Sequence, residues 1–260
     1  MYGVVPKSMW NKLNPADDNN MCTWAMRCLL IEEGNKLTLI DTGIGQKQDA
    51  KFISHYYLHG DQSLEKSIIQ TGFSPADINN VFLTHLHFDH VGGAIKKTGE
   101  NLLATFKNAK YWTNTTHWDW AINPNPREKA SFLKENILPI QESGQLHFAD
   151  KESFDLFDFI IVDGHTEKMM LPKIRYKDKT LVFVSDLIPS IGHISLAYIM
   201  SYDVRPLLTM TEKRAFLEVA AKEKWILIFQ HDPKVECCTV KFSEKGIVAD
   251  EIYNFSEIIS

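Results

Sequence analysis

The chain has too little of several features to belong to several protein classes. Cysteine is scarce: Cys22, Cys28, Cys237 and Cys238 are the only four, none in Cys-x-x-Cys spacing, and the last two are adjacent. That pattern reads as reduced thiols, not as a disulfide framework. No apolar run reaches the length of a membrane helix, so no membrane partner is expected. The first residues, Met1 to Lys7, lack the charged-then-apolar order of a signal peptide, and a cytoplasmic location is the expectation. Basic residues do not dominate: 28 Lys and Arg stand against 33 Asp and Glu, a formal net charge of -5. The signs are interspersed, so the basic face that binds nucleic acid is missing. No Gly-x-Ser-x-Gly elbow offers a serine hydrolase site. Repeats, low-complexity tracts and long linkers are absent as well. A chain of 260 residues can bury a substantial core, and one domain over residues 1–260 is expected.

What the chain does have is concentrated in Thr84-His85-Leu86-His87-Phe88-Asp89-His90-Val91-Gly92-Gly93. Three imidazoles and a carboxylate fall within six residues, directly after the apolar run Val81-Phe82-Leu83. On an extended backbone His85 and His87 project to the same side. Asp89 and His90 follow where the chain turns, so they can aim at a neighbouring point. Ligand pairs aimed at two adjacent points suggest a dinuclear site, with donors that suit zinc, iron, manganese or cobalt. A histidine-rich surface loop is the bland alternative. A cluster that closes a strand and runs into Gly-Gly is hard to reconcile with it.

A two-metal site needs further ligands, and three more strand-like runs end in candidates. Phe159 to Val162 leads into Asp163-Gly164-His165, Thr180 to Val184 into Ser185-Asp186, and Trp225 to Phe229 into Gln230-His231-Asp232. Ligands tend to gather beyond one end of a sheet. Asp186 can bridge, because a carboxylate has two oxygens. Each of these residues alone would pass for a turn former or a cap.

In this order, His85-x-His87-x-Asp89-His90, then His165, Asp186 and His231, the chain resembles the metallo-β-lactamase superfamily over nearly its whole length. The resemblance implies an α/β fold, a four-layer αββα sandwich. It implies two divalent transition-metal ions, with zinc expected and manganese, cobalt or iron open. His85, His87 and His165 would hold the first ion. Asp89, His90 and His231 would hold the second, with Asp186 bridging. Asp41, in the Asp41-Thr42-Gly43 turn after Leu37 to Ile40, would orient a ligand, where the residues alone read equally as a plain turn. Asp89 and Asp186 are the expected catalytic carboxylates.

His90 is shared by lactonases and glyoxalase II-type thioesterases of the superfamily, which makes β-lactam hydrolysis the weaker expectation. Gly3 to Lys7, Asp186 to Pro189, Tyr198 to Asp203 and Phe229 to Pro233 resemble quorum-quenching lactonases and the related methyl parathion hydrolases. The resemblance therefore implies a hydrolase opening an acyl-homoserine lactone-like ring by attack of a metal-bridging hydroxide. Phosphotriester or thioester hydrolysis and a non-catalytic metal-binding sensor remain the alternatives. Acyl-homoserine lactonases place a tyrosine three residues after the bridging aspartate, where this chain has Pro189. His193, Tyr198 and Tyr202 are candidate substrate contacts in its place. A small molecule is the expected partner, with homodimer formation left open.

The remaining patterns concern architecture. Cys22 to Ile31 and Leu37 to Ile40 read as paired strands around Gly34-Asn35. Leu171 to Tyr176 and Thr180 to Val184 read as a second hairpin. Thr116 to Ala121 and Arg127 to Asn136 read as helices around Pro124-Asn125-Pro126, a helical insert near 112–140. Its aromatic residues, Trp112, Trp118, Trp120 and Phe132, fit either a cap over the site or helices packed on their own core. A helix ending at Lys224 is expected to start at Thr209, with Glu212 completing a capping box. His55, His59, His117 and His147 have no ligand context and read as surface or packing residues.

Overall fold

A computed structural model describes every residue from Met1 to Ser260. The chain forms two compact units, Cys28–Phe154, and Met1–Arg27 together with Asp155–Ser260. Both mix helices with a central sheet.

In the Cys28–Phe154 unit, β1 (Leu29–Glu33) and β2 (Lys36–Ile40) form an antiparallel hairpin. Gly34 has φ +59°, which suits the first position of a two-residue turn. The expected strand from Cys22 begins only at Leu29. The backbone N–H groups of Ala25 and Arg27 instead donate to the carbonyls of His231 and Gln230, both at 3.0 Å. After β3 (Asn80–Phe82), a small hairpin of β4 (Ile95–Thr98) and β5 (Asn101–Ala104) stands apart. β6 (Lys110–Thr113) and β7 (Leu146–Phe148) then complete a five-stranded sheet in the order β1-β2-β3-β6-β7. β2, β3, β6 and β7 are mutually parallel. Ile40 lies opposite Phe82, and the ladder continues one step as the Asp41 N–H donates to the Phe82 carbonyl at 2.9 Å. Asp41 and the segment leaving β3 therefore emerge side by side at the carboxyl ends of parallel strands, where ligand crevices form.

The core of this unit joins Leu39, Val81, Leu83 and Leu86 to Phe106, Tyr111, Trp118 and Phe132. Each large side chain so buried contributes about 1.5–3 kcal/mol over its exposed state. Trp112 is buried too, its indole N–H donating to Asn80 Oδ1 at 2.9 Å. The aromatic-rich segment thus packs its large rings on its own core. Helices span Thr115–Ile122 and Lys134–Glu142. Arg127 to Leu133 is not the expected helix. Asn125 accepts from the backbone N–H groups of Arg127 and Glu128 through its side chain, and this local bonding competes with a helix.

In the other unit, β8 (Asp158–Val162), β9 (Met169–Tyr176), β10 (Lys179–Phe183), β11 (Ile226–Ile228), β12 (Cys237–Ser243) and β13 (Gly246–Tyr253) make a six-stranded sheet. Their order is β13-β12-β11-β10-β9-β8, and only β10 and β11 are parallel neighbours. Phe183 lies opposite Ile228, so the segments carrying Asp186 and His231 leave the sheet together. Two antiparallel steps, β10 to β9 and β9 to β8, return β8 to the same direction. Its exit, Asp163 to His165, is at that end too.

The long helix starts at Pro206, not Thr209, and runs to Glu223. Proline's fixed φ suits the first helical position. Glu212 closes no capping box. Its carboxylate accepts from the Asp163 and Gly164 N–H groups at 2.7 and 2.9 Å, fixing the exit of β8. Phe216, Leu217 and Ala220 pack into a core with Val182, Leu227 and Phe229.

One close backbone approach anchors the histidine-rich segment. A Cβ on Gly92 would lie 2.1 Å from the Ile44 carbonyl oxygen, and one on Gly93 would lie 2.2 Å from that of Thr42. Gly92→Ala should therefore force the Asp41 to Gly45 turn outward and destabilise the chain by about 1–3 kcal/mol. Denaturant unfolding measures this as a lowered midpoint. A midpoint equal to the parent's would contradict the packing described.

Candidate metal centre

β3 is wholly buried, and the chain it releases stays buried through His87. His85 and His90 are fully buried and His87 nearly so. Their rings gather. His85 and His90 have centroids 3.9 Å apart, His85 and His87 4.6 Å. A short turn of helix, Phe88–Val91, swings Asp89 and His90 away from the line of the strand. Asp89 keeps a partly exposed side chain, with Oδ2 3.7 Å from His90 Nε2.

Hydrogen-bond partners indicate which nitrogen each ring can present. Asp41 is completely buried and adopts a left-handed backbone, φ +56°, which aspartate tolerates. Its Oδ1 accepts the Thr84 N–H at 2.8 Å. Its Oδ2 accepts the Thr84 hydroxyl at 2.8 Å and His90 Nδ1–H at 2.9 Å. Thr84 Oγ1 has spent its proton on Asp41 and so accepts from His85 Nδ1, 3.1 Å away. His85 Nε2 is then a lone pair. It faces His87 Nδ1 at 3.1 Å, while His87 Nε2 lies 3.4 Å from Glu128 Oε1. In the tautomer that places its proton toward Glu128, His87 presents Nδ1 as a lone pair, and the facing nitrogens of His85 and His87 then fit a bound metal ion.

The unit containing Asp155–Ser260 repeats the logic. His165 Nδ1 pairs with Asp203 Oδ1 at 2.9 Å, and its Nε2 with Asp186 Oδ2 at 3.1 Å. His231 Nδ1 donates to the Ala25 carbonyl at 2.8 Å, and its Nε2 lies 3.0 Å from Asp186 Oδ1. Asp186 thus offers one oxygen to each ring. Ser185 before it is held at φ +41°, a left-handed conformation costly for serine. Burial pulls the His165 pKa down, but the Asp186 and Asp203 carboxylates outweigh it and raise it to about 10. A spot that favours a proton this strongly also favours a metal cation.

The candidate substrate contacts lie in dissimilar settings. His193 is buried, with Nδ1 2.7 Å from Ser190 Oγ and Nε2 3.1 Å from the Met1 carbonyl oxygen. Its ring stacks on Tyr2 with centroids 4.3 Å apart. Burial lowers its pKa to about 3, against the Met1 carbonyl bond, so the ring stays neutral. Tyr198 meets the Tyr2 ring edge-on, and its carbonyl accepts from the buried Lys213 ammonium at 3.0 Å. Tyr202 is 59% exposed.

Several residues around the rings carry no sequence signal of their own: Thr84, Asp203, Glu128, His117 and the Ala25 carbonyl. His117 accepts the Leu86 N–H at 2.8 Å, between the two histidines of the motif. Asp203 closes the Tyr198 to Asp203 run, which already resembled lactonases, so for it a hint existed.

The side chains that could hold a metal ion are His85, His87, Asp89 and His90 in the one unit; in the other they are His165, Asp186 and His231. A model of the metallo-beta-lactamase superfamily matches residues 27–231. An N-acyl homoserine lactonase of Bacillus thuringiensis is 21% identical over 241 residues, 88% of each chain. A probable metal-dependent hydrolase from Staphylococcus aureus superimposes with TM-score 0.86 at 26% identity, over 97% of this chain and 90% of that one. The dizinc quorum-quenching lactonase AidC, solved with a product bound, gives TM-score 0.73 at 24% identity, over 89% and 81%. The mixed α/β fold with several sheets is thus shared with solved proteins of this kind.

Asp41→Asn keeps the shape and tolerates the left-handed backbone, but it turns an acceptor oxygen into a donor facing Thr84 or His90. The metal-free protein should lose about 1–3 kcal/mol, the cost of an unmatched buried polar group. Equilibrium unfolding of variant and parent measures it, and an unchanged stability would contradict the network centred on Asp41.

Proposed function

This chain belongs to the metallo-β-lactamase superfamily of metallo-hydrolases, and from that premise we propose that it opens a lactone ring of the N-acyl homoserine type, using two divalent metal ions. The observation that carries the proposal is the set of ring nitrogens, with His85 Nε2 3.1 Å from His87 Nδ1 and Asp186 dividing its oxygens between His165 and His231. His85, His87 and His165 would hold one ion and Asp89, His90 and His231 the other, with Asp186 contributing to both. Zinc is the expected metal: imidazole and carboxylate donors suit it, and the similar AidC is a dizinc enzyme. When bound, two such ions polarise a carbonyl oxygen and supply an activated water near neutral pH.

The chain's own residues do the rest. Asp41, Asp203 and the Ala25 carbonyl hold the rings of His90, His165 and His231, so little reorganisation is needed. Asp89 has the accessibility a proton carrier needs. It takes a proton from water as the new bond to the acyl carbon forms. It returns the proton to the ring oxygen as the acyl C–O bond breaks, giving the open hydroxy acid. Phe88, between His87 and Asp89, meets Phe52 and Tyr56 at centroid distances of 5.4 and 4.8 Å. These partly exposed rings offer an apolar surface beside the motif for an acyl tail. Of His193, Tyr198 and Tyr202, the exposed Tyr202 is the substrate contact we retain.

No helix is long and apolar enough to cross a membrane. A small-molecule ester fits better than a nucleic acid, since the chain carries a net charge of -5.

Two measurements test the proposal. Elemental analysis after zinc reconstitution should give about two ions per chain. Asp186→Ala should impair both positions and His90→Ala mainly one. Full occupancy in Asp186→Ala would exclude the bridge. Hydrolysis of a homologous acyl-lactone series should then rise by about fourfold in kcat/KM per added methylene until the surface is filled, the rate equivalent of 0.8 kcal/mol. A β-lactam and an aryl phosphotriester serve as comparators. Absent lactone turnover beside efficient phosphotriester cleavage would overturn the lactone assignment.

A further inference from the structure

Glu128 is a buried carboxylate that the proposed mechanism does not use. It lies in the turn between the helices Thr115–Ile122 and Lys134–Glu142 and is 3% exposed. Burying a carboxylate costs several kcal/mol unless hydrogen bonds replace the lost water. Here they do. The Trp120 indole N–H and the Asn125 amide both donate to Oε2, at 2.8 and 2.5 Å. That directs Oε1 toward His87 Nε2, 3.4 Å away. The same turn touches the motif twice more. The Phe88 N–H donates to the Ser131 carbonyl at 2.9 Å, and the Phe132 ring lies 4.8 Å from the His87 ring.

His87 also differs from its neighbours. His85, His90, His165 and His231 all commit Nδ1 to the protein, whereas His87 presents Nδ1 and turns Nε2 away. A ring used in that sense needs an acceptor at its far nitrogen, beyond reach of the local backbone. We infer that Glu128, itself fixed by Trp120 and Asn125, is a positioning residue for His87. It holds Nε2–H so that Nδ1 faces the metal, and it makes metal retention depend on the Trp120 to Phe132 segment. The inference rests on the dinuclear reading above.

The test compares the parent with Glu128→Ala, Glu128→Gln and Trp120→Phe. Zinc affinity is measured for each equivalent by chelator competition, together with the visible absorption of the cobalt-loaded proteins. Glu128→Ala should weaken one equivalent by roughly 10–100-fold and leave the other within about twofold. Its cobalt bands should shift. Glu128→Gln sets an amide N–H donor against Trp120 and Asn125 or against His87 Nε2, so it should recover only part of the loss. Trp120→Phe should move affinity the same way by less. Parent-like affinities and cobalt spectra in every variant would overturn the inference, as would a lowered melting temperature with affinity unchanged. If Glu128→Ala does not fold, the other two variants decide by the same criteria. A parent that holds less than one ion would overturn the dinuclear reading and this inference with it. A parent with two ions beside unaffected variants removes the role of Glu128 alone.

Discussion

A buried imidazole has two nitrogens, and the protein must commit one before the other can serve a ligand. The arrangement around His85, His87, His90, His165 and His231 follows from that constraint. Thr84, Glu128, Asp41, Asp203 and the Ala25 carbonyl each take one nitrogen. Asp41 is the hinge of the set, because its two oxygens reach His90 directly and His85 through Thr84. Its φ of +56° places it where β2 and β3 end together. Gly92 and Gly93 let the neighbouring backbone approach closely enough to keep it there.

Sheet topology supplies the second condition. Parallel neighbours bring the ends of distant segments together, and each unit has the pair it needs. β2 and β3 deliver Asp41 beside Thr84 and His85, and β10 and β11 deliver Asp186 beside His231. The carboxylates then set the charge. The Asp186 and Asp203 carboxylates raise the His165 pKa to about 10 despite burial. Surroundings that favour positive charge there also suit divalent ions. A metallo-hydrolase gains from such a site because the groups that stabilise charge are in place before the substrate arrives.

The parts of this site that are close in sequence were legible there. The cluster from His85 to His90 announces itself, and the strand runs ending in His165, Asp186 and His231 read correctly as strands. What was hidden depends on contacts between segments. Glu128 is 41 residues from His87 and sits in an Asn-Pro-Arg turn that resembles any surface loop. The Ala25 carbonyl carries no side-chain signal at all. Local rules also misled where tertiary bonds won. Glu212 has capping-box spacing from Thr209, yet its carboxylate serves the exit of β8, and Pro206 opens the helix instead. Aromatic residues from Trp112 to Phe132 fitted a cap as well as a core until burial placed Trp118 and Phe132 in the core.

The proposal stands or falls on whether His85, His87, Asp89, His90, His165, Asp186 and His231 hold two metal ions. Anomalous diffraction at the zinc edge, from crystals grown with zinc, tests it most directly. Two peaks about 3.5–4 Å apart are expected. One should be ligated by His85, His87 and His165, the other by Asp89, His90 and His231, with an Asp186 oxygen on each. A single peak, or peaks bound elsewhere on the chain, would contradict it.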